Sequence, residues 1–336
     1  MMGDYLVAEV HGGPIAVTGA SGFVGSHLVR ALRGNQIPVR AVIRNTGAAA
    51  SLRALGCEVV LADVRNRRSL EDAFLGCQAV VHLVAVIREW KDVTYEAINR
   101  QGTTNVVGAA LQAGVGRLVH MSALGAHPSG PRYLRSKWDG EEEVRRGGMR
   151  YVIFRPSFII GSGEWSMPPG RGAAAQFADV VRLGIWYPLK LLLGWERPFS
   201  LLATVTPLVP VLGSGRYRSM PVAIGDLLDA VRQALGRDDV LGESYDIGGP
   251  DVLTYDEILN EVARALHLRR WKVHLPLPAA RPLVRGLALM PHPPITRDEF
   301  ESLLADNLCD NTKVVQTFRL SLRPFSISIG DALQTR

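Results

Sequence analysis

Apolar positions in the first half of the chain follow two alternating rhythms. Short, nearly unbroken apolar runs occupy Ile15–Thr18, Pro38–Ile43, Glu58–Leu61, Ala79–Val84, Arg117–Met121 and Tyr151–Phe154. Runs this short predict strands buried on both faces. Between them the spacing lengthens to that of a helix. Val24, Leu28, Ala31 and Leu32 share one helical face, with Gly34 as a stop. Ile98, Gly102, Val106, Ala109 and Ala113 share another, ended by Gly114. A further helix opens at Pro131 and runs to the Gly147–Gly148 pair. Strand and helix in strict alternation predict βαβ units and an α/β fold with a doubly wound parallel sheet.

Beyond Arg155 the rhythm breaks. Arg216–Met220 and Ser244–Ile247 read as strands, and Ile224–Leu235 as a helix. Thr254–Leu266 reads as a helix with Thr254 as N-cap and Glu257 three residues on, a capping box. The pattern predicts a sheet domain over residues 12–160 and a smaller substrate- or partner-binding region over 161–336. Residues 216–250 are expected to interleave with the sheet, and the smaller region to lie over the carboxyl ends of its strands.

Composition narrows the class. Of 336 residues, 47% are hydrophobic and 21% charged, enough apolar mass for a sizeable core. Lys+Arg 38 against Asp+Glu 32 leaves +6, too small an excess to argue for nucleic-acid binding. Cys57, Cys77 and Cys309 are odd in number and far apart, so neither a disulfide framework nor a metal site is expected, and a reducing compartment is. The first residues, MMGDYLVAEVHGG, lack the basic and apolar regions of a signal peptide. The most apolar window, Pro198 to Gly215, is interrupted by Pro207 and Pro210, which argues against a membrane span. The expectation is a cytoplasmic protein.

The first chemical signal lies between the first strand and the first helix: Thr18-Gly19-Ala20-Ser21-Gly22-Phe23-Val24-Gly25. Glycines here let the backbone turn sharply and approach a diphosphate, and the helix N-terminus supplies free N–H groups. The competing reading is a turn whose glycines serve only helix–sheet packing. At the end of the second strand, where NAD binders carry a carboxylate for the ribose 2′-OH, stands Arg44 followed by Asn45. A permanently charged guanidinium suits a 2′-phosphate and favours NADP(H) over NAD(H), unless Arg44 is a solvated surface residue. Asp63 and Val64 follow the third strand, placed for the adenine amine. Asp63 reads equally well as the N-cap of a helix beginning near Ser69.

The second signal is Tyr133 and Lys137, four apart on one helical face. An ammonium beside a phenol lowers its pKa and can hold a ribose hydroxyl, so Tyr133 could exchange a proton with a carbonyl or alcohol. The bland alternative is a packing aromatic.

Together TGASGFVG (18–25), LADVRN (61–66), VHLVA (81–85), NRQGTTNVVGAALQAGVGRLVHMSA (99–123), YLRSK (133–137) and FRPSFIIG (154–161) resemble the extended or atypical short-chain dehydrogenase/reductases. The resemblance implies an NAD(P)-binding Rossmann domain. It places Phe23 and Val24 near the pyrophosphate, Leu83, Val84 and Ala85 beside the adenosine, and Pro156 and Ser157 near the carboxamide. Tyr133 and Lys137 fall on the active-site pair. The superfamily's catalytic serine aligns with Ala123 rather than Ser122, so Ser122 serves only if the register differs by one residue.

A narrower likeness runs through YLRSKWDGEEEVR (133–145), RYRSMPVAIGDLLDAV (216–231), IGGPDVLTYDEIL (247–259) and Ile295–Asp298. These are similar to the NADPH-binding accessory subunit family of respiratory complex I and its bacterial epimerase/dehydratase-like relatives. In that family the mitochondrial member holds NADPH as a structural element near the quinone site.

The second half adds a different character. Between Glu261 and Asp298 there are seven Lys/Arg and no Asp/Glu. Trp186, Tyr187, Lys190, Trp195 and Arg197 are types that anchor at a lipid headgroup layer. Either a peripheral contact with a membrane or membrane-bound complex, or an apolar lid over a hydrophobic substrate, would give this pattern over 176–215 and 262–297. Two function classes follow. One is an NADP(H)-dependent oxidoreductase or isomerase on a bulky apolar carbonyl or alcohol, quinone-like or isoprenoid-like. The other is a cofactor-binding accessory or assembly subunit of a respiratory complex.

Overall fold

The computed structural model describes residues 12–162, 208–287 and 296–334. The chain divides into two compact units, 1–156 with 224–247 and 310–321, and 157–223 with 248–309 and 322–336. The expected anchor residues Trp186, Tyr187, Lys190, Trp195 and Arg197 lie outside the described residues.

The first unit holds the sheet. Its strands are β1 (Ile15–Thr18), β2 (Val39–Ile43), β3 (Glu58–Leu61), β4 (Ala79–His82), β5 (Arg117–Met121), β6 (Tyr151–Pro156) and β7 (Glu243–Ile247). They lie in the order β7-β6-β5-β4-β1-β2-β3, every neighbouring pair parallel. Chain direction across the sheet reverses between β1 and β4, the switch point at which doubly wound sheets open a ligand crevice. The helices are α1 (Phe23–Gly34), α2 (Ala49–Ala54), α3 (Arg67–Phe74), α4 (Gln101–Gln112), α5 (Arg132–Arg146), α6 (Ile224–Gly236) and α7 (Thr312–Phe318). Strands β1, β4 and β5 are buried along their whole length. One face of the sheet packs Ala16, Val80, Leu118 and Ile153 with Leu70, Phe74, Val106, Ala110 and Val144 of the covering helices. The doubly wound parallel sheet read from periodicity is the observed one.

Boundaries differ in ways that carry chemistry. β4 stops at His82 rather than Val84; the Leu83 N–H makes the last bond of the ladder to β1, to the Thr18 carbonyl at 3.3 Å. α3 is capped by Asn66, whose side chain accepts from Ser69 N at 3.3 Å. Asp63 is therefore not a helix cap. α4 is preceded by one wide π-helical turn, Glu96–Arg100.

The second unit, taken by itself, is built from two-stranded pieces: Ile159–Ile160 with Val222–Ala223, Arg218–Ser219 with Leu253–Thr254, and Leu208–Leu212 with Trp271–Leu275. The helix Tyr255–Ala265 has the capping box expected at Thr254 and Glu257. Its buried Ile258, Leu259 and Val262 pack with Val209, Val211, Phe325 and Ile329. A second capping box, Thr296 with Glu299, opens the helix Arg297–Leu303. No helix among the described residues is long and apolar enough to cross a membrane.

Candidate functional site

The turn after β1 is shaped by its glycines. Gly19 sits at φ +73°, which a residue with a Cβ rarely adopts. Its carbonyl accepts from Gly22 N at 2.9 Å, closing the turn. α1 begins at once, with Gly22 as an N-cap that offers no side-chain acceptor and no acidic residue in the first turn. A Cβ at Gly25 would stand 2.1 Å from the Gly19 carbonyl oxygen and 2.8 Å from Ala20 Cα. Helix and turn thus approach to a distance only glycine permits. The cradle lies at the carboxyl end of β1 with N–H groups at the helix start, and it fits a diphosphate. Ser21, Phe23 and Val24 are half-buried around it. Val84 packs against the same turn, its backbone N 3.3 Å from where a Gly19 Cβ would be. Leu83 is half-buried and Ala85 exposed.

Arg44 follows β2 directly and is exposed. Asp63 accepts from the Arg65 backbone N at 2.9 Å and from its guanidinium at 2.8 Å. These bonds hold the Asp63 carboxyl below the usual carboxylate range, and the Arg44 charge acts in the same direction. Arg65 also reaches Asp92 at 2.5 Å. The Arg65 guanidinium therefore acts on the same carboxylates as the Arg44 charge, a second cation that no sequence motif marks. Val64 is buried, its carbonyl accepting from Asn105 Nδ2 at 2.8 Å.

α5 presents Ser136, Lys137, Gly140, Glu141 and Val144 to the interior, with Tyr133 half-buried at its first turn. Lys137 is 1% exposed and its Nζ donates to the Met121 carbonyl at 2.8 Å. Burial pushes its ammonium down to about 8, against the opposing charge of Glu141. Burial pushes the Tyr133 phenol up to about 12. The expectation that the neighbouring ammonium lowers this phenol is thus reversed, because desolvation of the phenolate dominates.

Ser122, at the end of β5, is buried and its Oγ donates to Glu141 Oε1 at 2.5 Å. The same carboxylate receives Arg155 at 2.8 and 2.6 Å and Arg145 at 2.6 Å. Burial alone would raise the Glu141 carboxyl, but these bonds and charges hold it below the usual range. Pro156 closes β6 and its carbonyl accepts from Leu124 N at 3.0 Å. Ser157 belongs to the second unit, where its Oγ donates to Asn307 Oδ1 at 2.6 Å.

Asn99 opens the NRQGTTN run, and nothing in the run marks it out from its neighbours. It sits in the wide turn before α4, a type of distortion often found near functional sites. Its Oδ1 accepts from Val86 N at 2.8 Å, and its Nδ2 donates to the Val86 carbonyl at 3.0 Å and to Ser136 Oγ at 2.9 Å. It ties the loop after β4 to the helix that carries Tyr133 and Lys137.

A switch-point cradle and a Tyr–Lys helix in one parallel sheet define a Rossmann protein of the dinucleotide-binding class. The comparisons agree. The NAD(P)H-binding family matches residues 19–164. The ceramide reductase of Caulobacter vibrioides is 30% identical over 271 residues, 79% of this chain and 74% of the relative. A farnesyl-dihydroquinoline-oxide ketoreductase of Stigmatella aurantiaca is 30% identical over 49% of this chain and 54% of its own length. The mitochondrial NADH dehydrogenase 1 alpha subcomplex subunit 9 of Arabidopsis thaliana is 27% identical over 90% of this chain and 72% of its own. Among solved structures, the UDP-glucose 4-epimerase of Thermotoga maritima superposes with TM-score 0.69 at 18% identity, covering 96% and 97% of the two chains. The chain belongs to the extended short-chain dehydrogenase/reductase family, as an NAD(P)H-binding member with relatives among both reductases and complex I subunits.

Proposed function

We propose that the chain is an NADP(H)-dependent oxidoreductase that reduces the carbonyl of a bulky apolar molecule. The observation that carries this reading is Lys137, fully buried yet anchored at the end of β5, one helical turn beyond Tyr133. A buried ammonium is costly, and its placement one helical turn from a tyrosine, on the helix that follows β5, supports a role in binding and proton transfer. Gly19, Ser21, Gly22, Phe23, Val24 and Gly25 would hold the diphosphate. Arg44 would take the 2′-phosphate, Asp63, Val64, Leu83, Val84 and Ala85 the adenosine, Lys137 the nicotinamide ribose, and Pro156 the carboxamide edge. The bound nicotinamide supplies hydride to the carbonyl carbon. Tyr133 stays protonated at neutral pH, which suits the reductive direction, where its O–H gives the proton to the substrate oxygen. The Lys137 ammonium then offsets the charge left on the phenolate. Two relatives act, by name, on a ceramide and on a farnesylated ketone, which supports an apolar substrate.

The test is NADPH oxidation with long-chain 3-oxo amides and prenylated quinones as acceptors. Turnover is expected with at least one class, and Tyr133→Phe is expected to lower it by about 10²–10⁴-fold while NADPH binding persists. Wild-type protein that binds NADPH and reduces neither class overturns the reading.

One observation favours a second reading, an accessory subunit of a membrane respiratory complex. Ser122 is engaged by Glu141 and is followed by Ala123, so the serine that orients substrate in this family has no obvious equivalent. The dinucleotide would then act as a structural ligand, adding about 2.7 kcal/mol at a hundredfold excess over its Kd. Membrane contact would run through the second unit, where Trp271 is 71% exposed and Arg269, Arg281 and Arg285 are exposed. Flotation with anionic vesicles at low salt tests that contact, and protein that stays in the soluble fraction removes it.

A further inference from the structure

One face of the sheet changes character toward its carboxyl edge. Ala16 of β1 and Val80 of β4 lie on that face among apolar neighbours from α3, α4 and α5. Two residues on, at the next positions of the same face, stand Thr18 and His82, paired across the two strands. Both are fully buried. A hydroxyl and an imidazole are costly in such a core unless they are hydrogen-bonded.

They are bonded, and the bonds run on. Thr18 Oγ1 accepts from Leu83 N at 3.4 Å and donates its own proton to His82 Nδ1 at 2.8 Å. The ring proton of His82 is then on Nε2, which donates to Thr103 Oγ1 at 3.2 Å. Thr103 Oγ1 donates to the Asn99 carbonyl at 2.7 Å. The Asn99 side chain donates to Ser136 Oγ at 2.9 Å, and Ser136 Oγ donates to the Tyr133 carbonyl at 2.6 Å. Each donor points the same way, from β1 toward α5. Thr103, Asn99 and Ser136 are buried as well, so water cannot replace a lost link. One end of the series, Thr18, is joined by its peptide bond to Gly19 of the diphosphate cradle. The other end is the helical turn that holds Tyr133 and Lys137. Moving one member of such a series leaves a buried donor or acceptor without its bond, so the members shift together.

We propose that His82 is a positioning residue that couples the cradle to α5, so that a dinucleotide seated in the turn also steadies the helix carrying Tyr133 and Lys137. A diphosphate bonded to the N–H groups of the turn fixes the Thr18–Gly19 peptide, and with it the direction of the Thr18 hydroxyl. His82 passes that constraint to Thr103, and Asn99 passes it to Ser136. The coupling rests on the dinucleotide-binding part of the reductase reading and adds an order to it: the proton donor is aligned once the cofactor is in place. His82 acts through these neighbours and takes no part in the chemical step.

The experiment uses ADP, which carries the adenosine and the diphosphate but not the nicotinamide ribose that Lys137 would hold. Amide hydrogen exchange is followed in the full chain with and without saturating ADP. The proteins are wild type, Thr103→Val, the conservative Thr103→Ser, and His82→Asn, whose shorter side chain can accept from Thr18 but falls short of Thr103. Exchange at Val152 and Ile153 in β6 gives the slowing that comes from overall stabilisation. Beyond that, ADP is expected to slow the Arg135 and Lys137 amides of α5 about fivefold or more in wild type and in Thr103→Ser. In Thr103→Val and His82→Asn the extra slowing at α5 should vanish, while the Gly22 and Ser26 amides of the cradle are still slowed. Extra slowing at α5 that is missing in wild type, or that survives in either folded variant, overturns the coupling. Wild type that shows no calorimetric binding of ADP overturns the cradle and the coupling with it. The expected pattern of exchange, in a protein that oxidises no NADPH with either class of acceptor, keeps the coupling and overturns the reductase.

Discussion

His82 and His120 stand directly opposite each other on β4 and β5, their ring centroids 5.3 Å apart in the centre of the sheet. Thr103 Oγ1 donates to the Asn99 carbonyl, so the His82 Nε2–H donates to Thr103, and His82 Nδ1 accepts from Thr18 at 2.8 Å. His82 is thereby a neutral imidazole with both nitrogens satisfied. Neither ring nitrogen of His120 has a hydrogen-bond partner.

This pair makes the fold sensitive to acid. Burial, with the Lys137 charge, pushes His82 down to about 3. Burial pushes His120 well below its ordinary value too, helped by the charges of Lys137, His82 and Arg145. In the unfolded chain both would titrate near 6.5. Between that value and about 3 the unfolded chain binds protons that the folded chain refuses, so stability falls as pH falls. For His82 the loss is about 1.4 kcal/mol per pH unit across that window. Urea midpoints measured at about pH 7 and pH 5 should differ accordingly, with a shallower slope in His82→Asn. Equal midpoints would contradict it.

Gly25→Ala tests the cradle. Its methyl would lie 2.1 Å from the Gly19 oxygen, so the turn must open. We expect a loss of about 1–3 kcal/mol in stability and at least a tenfold weaker affinity for either nicotinamide dinucleotide, read by thermal unfolding and calorimetry. Unchanged affinity would mean that the glycines serve helix packing alone.

Arg44→Ala tests the choice of dinucleotide. A charge-assisted bond to the 2′-phosphate contributes about 1.5–3 kcal/mol, so the Kd for NADPH should rise roughly ten- to a hundredfold while that for NADH stays put. Parallel losses for both would move the 2′-phosphate elsewhere, with Arg65 the next residue to replace.

Glu141→Ala tests the buried charge cluster. It leaves Arg155 and Arg145 without the carboxylate that joins them and frees Ser122. Removing one partner of a buried ion pair costs about 3–5 kcal/mol, visible as a large fall in the unfolding midpoint. A midpoint within about 1 kcal/mol of wild type would show that Glu141 is dispensable to the fold.

The architecture was largely legible in advance. Apolar runs separated by helical spacing leave few arrangements that bury both faces of each strand, and the glycines of 19–25 mark where the ligand edge lies. Local competition was harder to read. Asp63 and Asn66 are both good cap residues, and only the path of the chain put Asn66 at the helix start and left Asp63 to Arg65. Of the partners of Glu141, only Arg145 is local, four residues on along the same helix; Ser122 and Arg155 are nineteen and fourteen residues away and meet the carboxylate only when α5 packs on the sheet.

The order of apolar and glycine residues along the chain determined the parallel sheet, the turn after β1 and the spacing of Tyr133 and Lys137, because periodicity and backbone freedom are local properties. The tertiary structure decided the electrostatics: which way the Tyr133 and Lys137 pKa values move, that His82 and His120 stay neutral, and that Ser122 faces Glu141. Those outcomes depend on how much water each group loses and which charge it meets across the packed interior, and neither quantity exists until the chain has folded.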